Sequence, residues 1–141
     1  MPPSSTVPIV LFACVHNAGR SQMAAAWFTA LADPARAAAL SAGTRPAAHV
    51  HPEVVAAMQE AGIDLSRTTP RLLTPDLARS AALLVTMGCG EECPVVPGRA
   101  REDWPFADPK GRTLSEVRSL RDAIRARVLR LLADREWVAS S

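Results

Sequence analysis

The chain has 141 residues, 48% of them hydrophobic, which suits one compact domain with a sizeable core. A net charge of only +2, with the basic residues spread along the chain, argues against nucleic acid as the main partner, and no run approaches the roughly 20 apolar residues of a membrane span. The start, Met1-Pro2-Pro3-Ser4-Ser5-Thr6, lacks the basic segment of a secretory signal, so a cytoplasmic protein is expected, in which three cysteines point to catalysis or metal binding rather than to structural disulfides.

Residues 1–6 read as a flexible tail and 7–138 as a single domain. Val7 to Ala13 is continuously apolar and bounded by turn residues, the pattern of a buried strand. Ser21 to Leu31 reads as a helix stopped by Asp33-Pro34. Ala37 to Ala42, before Gly43, is a candidate second strand. Pro52 to Ala61 is a helix with Pro in its first turn and Gly62 after its end. Asp76 to Arg79 is a helical turn, and Ala82 to Met87 a second strongly buried strand. The last helix is the clearest. Thr113-Leu114-Ser115-Glu116 fits a capping box, and Leu114, Val117, Leu120, Ile124, Val128 and Leu131 then form one apolar stripe. Arg118, Arg121, Arg125 and Arg130 fall largely on the other side and read as a solvated face. Strands alternating with helices imply a parallel sheet covered on both faces.

In such sheets ligands bind beyond the carboxyl ends of the strands, and Cys14 follows the first strand directly. It opens Cys14-Val15-His16-Asn17-Ala18-Gly19-Arg20-Ser21, a Cys-x5-Arg-Ser loop leading into the first helix. The thiolate is the nucleophilic form of cysteine, and both the helix N-terminus and the Arg20 charge favour it. Successive N–H groups of residues 15–21 can surround an oxyanion, and the planar fork of Arg20 can hold two of its oxygens. Gly19 allows backbone geometry closed to a side chain. Ser21 is placed to donate to the thiolate, and Asn17 to brace the loop through its backbone. His16 reads as a rim residue, because this loop needs no further base. His49 and His51, before the Pro52 helix, read as loop or cap residues, and Arg45 and Arg99 as candidate rim residues.

Met87-Gly88-Cys89-Gly90-Glu91-Glu92-Cys93-Pro94 sets two more thiols four residues apart, about 6 Å between Cα atoms on a helix. A redox relay with Cys14 is the functional reading. A zinc site from Cys14, Cys89, Cys93 and His16, or two inert thiols, are the alternatives. Asp108-Pro109, in the Pro-rich stretch from Asp103, can present a general acid over the loop. It can equally be a turn-forming Asp before Pro.

Cys14-x5-Arg20-Ser21, the cysteine pair and Asp108-Pro109 together resemble the thiol-coupled arsenate reductases built on the low-molecular-weight tyrosine phosphatase fold. Residues 15–24, Ser41-Ala42-Gly43-Thr44 and Val85-Thr86-Met87-Gly88-Cys89 extend the likeness over roughly Val7 to Leu132. The resemblance implies a four-stranded parallel sheet flanked by helices and no bound cofactor. It implies that arsenate, for which phosphate or sulfate would be mimics, sits in the loop, held by its backbone and Arg20. Cys14 would attack arsenic while Asp108 protonates the leaving hydroxyl. Cys89 and then Cys93 would complete a disulfide relay emptied by thioredoxin. Members known for this relay space their second and third cysteines more widely than the three residues between Cys89 and Cys93 here. Some also carry an acidic residue in the first helix that helps bind potassium, where this chain has Ala25. A tyrosine phosphatase using Cys14 and Asp108, with Trp104 and Phe106 as partial substitutes for its usual aromatic walls, is the main alternative. A single-cysteine reductase completed by a small thiol and a non-enzymatic anion sensor are two others. A monomer is expected.

Overall fold

A computed structural model describes residues 7–88, 98 and 100–139. The predicted tail, Arg99 and both Cys89 and Cys93 lie outside the described residues. Chain order is β1 (Ile9–Cys14), α1 (Arg20–Leu31), β2 (Ala38–Gly43), α2 (Pro52–Glu60), α3 (Pro75–Ser80), β3 (Leu83–Thr86), β4 (Ala100–Asp103) and α4 (Leu114–Arg135). The strands form one sheet in the order β2-β1-β3-β4, and every pairing is parallel.

The period-two geometry of a strand sorts β1 between two cores. Val10, Phe12 and Cys14 face the larger core, where α1, α2 and α4 contribute Met23, Phe28, Val54, Met58, Ile124 and Val128. Leu11 and Ala13 face the smaller one, closed by Leu73, Ala78 and Leu84. A strand buried on both faces has no polar alternation to show, hence the unbroken apolar run in the sequence.

The first three helices and the first three strands stand within two residues of their predicted bounds, and α4 starts as predicted but runs on past Leu131 to Arg135. β4 was not foreseen. Its Ala100-Arg101-Glu102-Asp103 is the exposed edge of the sheet, and an edge strand carries charge rather than an apolar run. Asp103 therefore ends a strand, where its carboxylate accepts from the Thr86 hydroxyl. α4 has both halves of its capping box, Glu116 N–H to Thr113 Oγ1 and Thr113 N–H to Glu116 Oε1. Its arginines do more than solvate a face. Arg118 and Arg121 both donate to Glu60 at the end of α2, Arg125 lies over the ring of Trp27, and Arg127 pairs with Glu102 and stacks on Trp104.

Candidate active site

β1 delivers Cys14 to the carboxyl edge of the sheet, where the chain turns through residues 15–19 into α1. The loop is held from outside. Thr44, Arg45 and Ala47 donate their N–H groups to the carbonyls of Cys14, Val15 and His16, and His51 donates to that of Ala18. The loop carbonyls are thus occupied, whereas none of the N–H groups of Val15 to Arg20 donates a hydrogen bond among the described residues. Unspent donors at a helix N-terminus are the arrangement that receives an anion.

Inside the loop, Cys14 Sγ lies 2.8 Å from Ser21 Oγ, and Asn17 Nδ2 donates to that hydroxyl oxygen at 2.8 Å. With its acceptor face taken by Asn17, the Ser21 hydroxyl has its proton free for the sulfur. Asn17 braces the loop, but not through the loop's own backbone as the sequence suggested. Its Oδ1 accepts from the Arg71 N–H at 2.9 Å and from Gln22 Nε2 at 3.1 Å, tying the loop to the strap beyond β2. Gln22 was missed. Its signal was a polar residue directly before the apolar run from Met23 to Phe28, and its buried amide also reaches the Asn17 carbonyl at 3.1 Å.

In the loop the residue with left-handed backbone is Asn17, at φ 50, whereas Gly19 has φ −146. Gly19 is needed for space instead. A Cβ there would overlap Pro109 Cγ and sit 3.5 Å from His51 Cδ2. Asp108-Pro109 therefore rests directly on the oxyanion loop. Arg20, 8% exposed, closes the arrangement. Its Nη1 donates to the Phe106 carbonyl at 3.1 Å, its Nη2 stands 4.0 Å from Asp108 Oδ2, and its buried Nε has no partner. Asp108 is also the turn former that the dipeptide suggested, since its Oδ1 accepts from the Lys110 N–H at 3.0 Å.

His51 is the N-cap residue of α2, but it also overlooks the site. Burial pushes its pKa below the ordinary imidazole value, helped by His16 and Lys110 and opposed by Asp108 and Glu53. His16 is half-buried and His49 exposed, while Arg45 is exposed beside the loop. Trp104, suggested as a cleft wall, is instead 2% exposed and packed on Phe12 in the core, because its indole N–H is satisfied internally by Glu102. Phe106 packs against the same core. Ala25, at the first-helix position where the resemblance implied an acidic residue in some members, lies in α1 and offers no oxygen. Among the described residues, no group of three or more His, Cys, Asp or Glu side chains could hold a metal ion, and no helix is long and apolar enough to cross a membrane.

Comparisons with known proteins agree with this architecture. The chain is 42% identical over 131 residues to a protein of Halobacterium salinarum provisionally named arsenate reductase, covering 85% of this chain and 87% of that one. It is 34% identical to an arsenate reductase of Staphylococcus haemolyticus, covering 84% and 92%. Among solved structures, a thioredoxin-dependent arsenate reductase of Corynebacterium glutamicum superposes with a TM-score of 0.78 at 38% identity, over 91% of this chain. This chain spans 61% of the length of that protein. An arginine phosphatase of Geobacillus stearothermophilus, 23% identical with a TM-score of 0.78, shares the fold. Residues 9–138 match the family described as low molecular weight phosphotyrosine protein phosphatase, and the chain belongs to that family.

Proposed function

We propose that this protein is an arsenate reductase that works by a thiol relay. The observation that carries the reading is the Cys14 sulfur, 2.8 Å from Ser21 Oγ at the base of a loop of unspent N–H donors, with Arg20 and Asp108 closing it. Relatives and solved neighbours named arsenate reductase support that choice of anion.

Cys14 thiolate attacks arsenic(V) of arsenate, held by the N–H groups of residues 15–21 and by Arg20. A hydroxyl departs as water with the proton of Asp108. Cys89 attacks the Cys14 sulfur. The arsenic–sulfur electron pair passes to arsenic, which leaves as arsenite, and a Cys14–Cys89 disulfide forms. Cys93 then attacks Cys89, which frees Cys14 and leaves a Cys89–Cys93 disulfide for thioredoxin to reduce. The reading takes the enzyme as a cytoplasmic monomer acting through one domain, residues 7–138, with no bound cofactor.

Phosphoester hydrolysis by Cys14 and Asp108 is the second reading, and the family and the loop geometry favour it as a side activity. Neither Trp104 nor Phe106 stands free as an aromatic wall for a phosphotyrosine ring. Hydrolysis also uses no electrons. A thiol count on reduced enzyme mixed with arsenate, without external reductant, separates the readings. The relay consumes two thiols per chain and releases one arsenite. Anion binding with no loss of thiols would sink it. Turnover with thioredoxin, thioredoxin reductase and NADPH, compared with turnover on small thiols, identifies the reductant.

A further inference from the structure

The guanidinium of Arg20 keeps its place because of a residue that carries no chemistry. Gly88 follows β3, and its position is fixed by the sheet. The preceding Met87 is fully buried, and its N–H donates to the Ala13 carbonyl at 2.7 Å. Gly88 has φ +96, a backbone conformation that L side chains rarely adopt. It also lies directly against Arg20. A Cβ at this position would overlap Nη1 and stand 3.1 Å from Cζ and 3.5 Å from Nη2. Those are the same two nitrogens that meet the Phe106 carbonyl and face Asp108. The way from α1 to the acid loop runs across the bare face of Gly88.

We propose that Gly88 is a positioning residue for the oxyanion site, and that its missing side chain is what lets Arg20 stand between the Cys14 loop and Asp108. The inference rests on the reading of Arg20 as the anion's holder. The group that would give way to a methyl is the far end of a flexible side chain, not backbone. A substitution at Gly88 therefore falls on Arg20, and through it on anion affinity, more than on the sheet.

The test is a double-mutant cycle read by calorimetric titration of the fully reduced protein with inorganic phosphate. Arg20→Ala and Gly88→Ala are each expected to weaken phosphate by about tenfold or more, the loss of one charge-assisted hydrogen bond. In the Arg20→Ala background, Gly88→Ala is expected to add less than about twofold, because its target is gone. Phosphate affinity unchanged in Gly88→Ala overturns the proposal, as does a full second loss in the double variant. If Arg20→Ala itself binds phosphate like the parent, the reading of the anion site fails first and takes this inference with it. Should Gly88→Ala fail to fold, the double variant has room for the methyl and is expected to fold. Its failure would assign Gly88 to backbone conformation alone and overturn the proposal.

Discussion

Asn17 is where the geometry of the site can be weighed as stability. Its side chain is fully buried and makes three hydrogen bonds, to Ser21 Oγ, from the Arg71 N–H and from Gln22 Nε2. Its backbone is left-handed, at φ 50. Asn17→Ala removes the bonds, each contributing about 1 kcal/mol net, and leaves the Arg71 N–H without its acceptor for about 1 kcal/mol more. Gln22 keeps the Asn17 carbonyl and Ser21 keeps Cys14, so those partners are not orphaned. Alanine in left-handed backbone costs a further 1–2 kcal/mol, roughly, which asparagine largely escapes. The expected loss is about 5–6 kcal/mol, a large share of the roughly 5–15 kcal/mol available to a domain of this size. Asn17→Gly loses the same bonds without the backbone term and is expected to be about 1 kcal/mol less harmful than Asn17→Ala. Urea unfolding followed by fluorescence of the buried Trp27 and Trp104 measures both. A loss under about 1 kcal/mol for Asn17→Ala, or alanine matching glycine, would refute the account of a loop held by one bridging amide.

Two further outcomes follow from the site. His51 is held below the ordinary imidazole pKa, chiefly by burial, so the folded protein binds its proton less readily than the unfolded chain. Its contribution is present at neutral pH and above and is lost as pH falls through the range in which the unfolded imidazole protonates. Urea midpoints should decline more steeply on acidification in the parent than in His51→Gln, and equal slopes would remove His51 from the account. Among the thiols, Cys14→Ser is expected to abolish arsenate reduction with the fold intact, while Cys93→Ser is expected to stop multiple turnovers with thioredoxin after a single arsenite release. Parent-like turnover in Cys93→Ser would replace the three-thiol relay by a single-cysteine reaction finished by an external thiol.

Most of the fold was legible because the buried parallel strands and the amphipathic last helix write their geometry into hydrophobic pattern. β4 was not, since two arginines, a glutamate and an aspartate serve an exposed edge without any apolar signal. The site followed the same division. Cys14, Arg20 and Ser21 could be read from their spacing, because a strand-loop-helix turn brings them together through local chain geometry alone. Asp108 stayed open between acid and turn former in the sequence, since it is far from Arg20 along the chain and no local spacing links the two. Gln22, His51 and Gly88 were passed over for different reasons. One is a polar residue inside an apolar helix, one was already explained as a cap, and one has no side chain to interpret.

The meeting of Gly88 with Arg20 bears on how one loop can serve two chemistries. Holding an oxyanion against a cysteine requires only β1, α1 and the acid loop, and a phosphatase needs no more. Reduction needs a second thiol to reach Cys14 while the arsenic adduct is still held. The sheet order makes that possible. β3 lies next to β1 in parallel, with Thr86 opposite Ala13, so the chain leaves β3 at the mouth of the Cys14 loop. Gly88 then passes against the Arg20 guanidinium, the proposed holder of the anion, and the next residue in sequence is Cys89, the proposed second thiol.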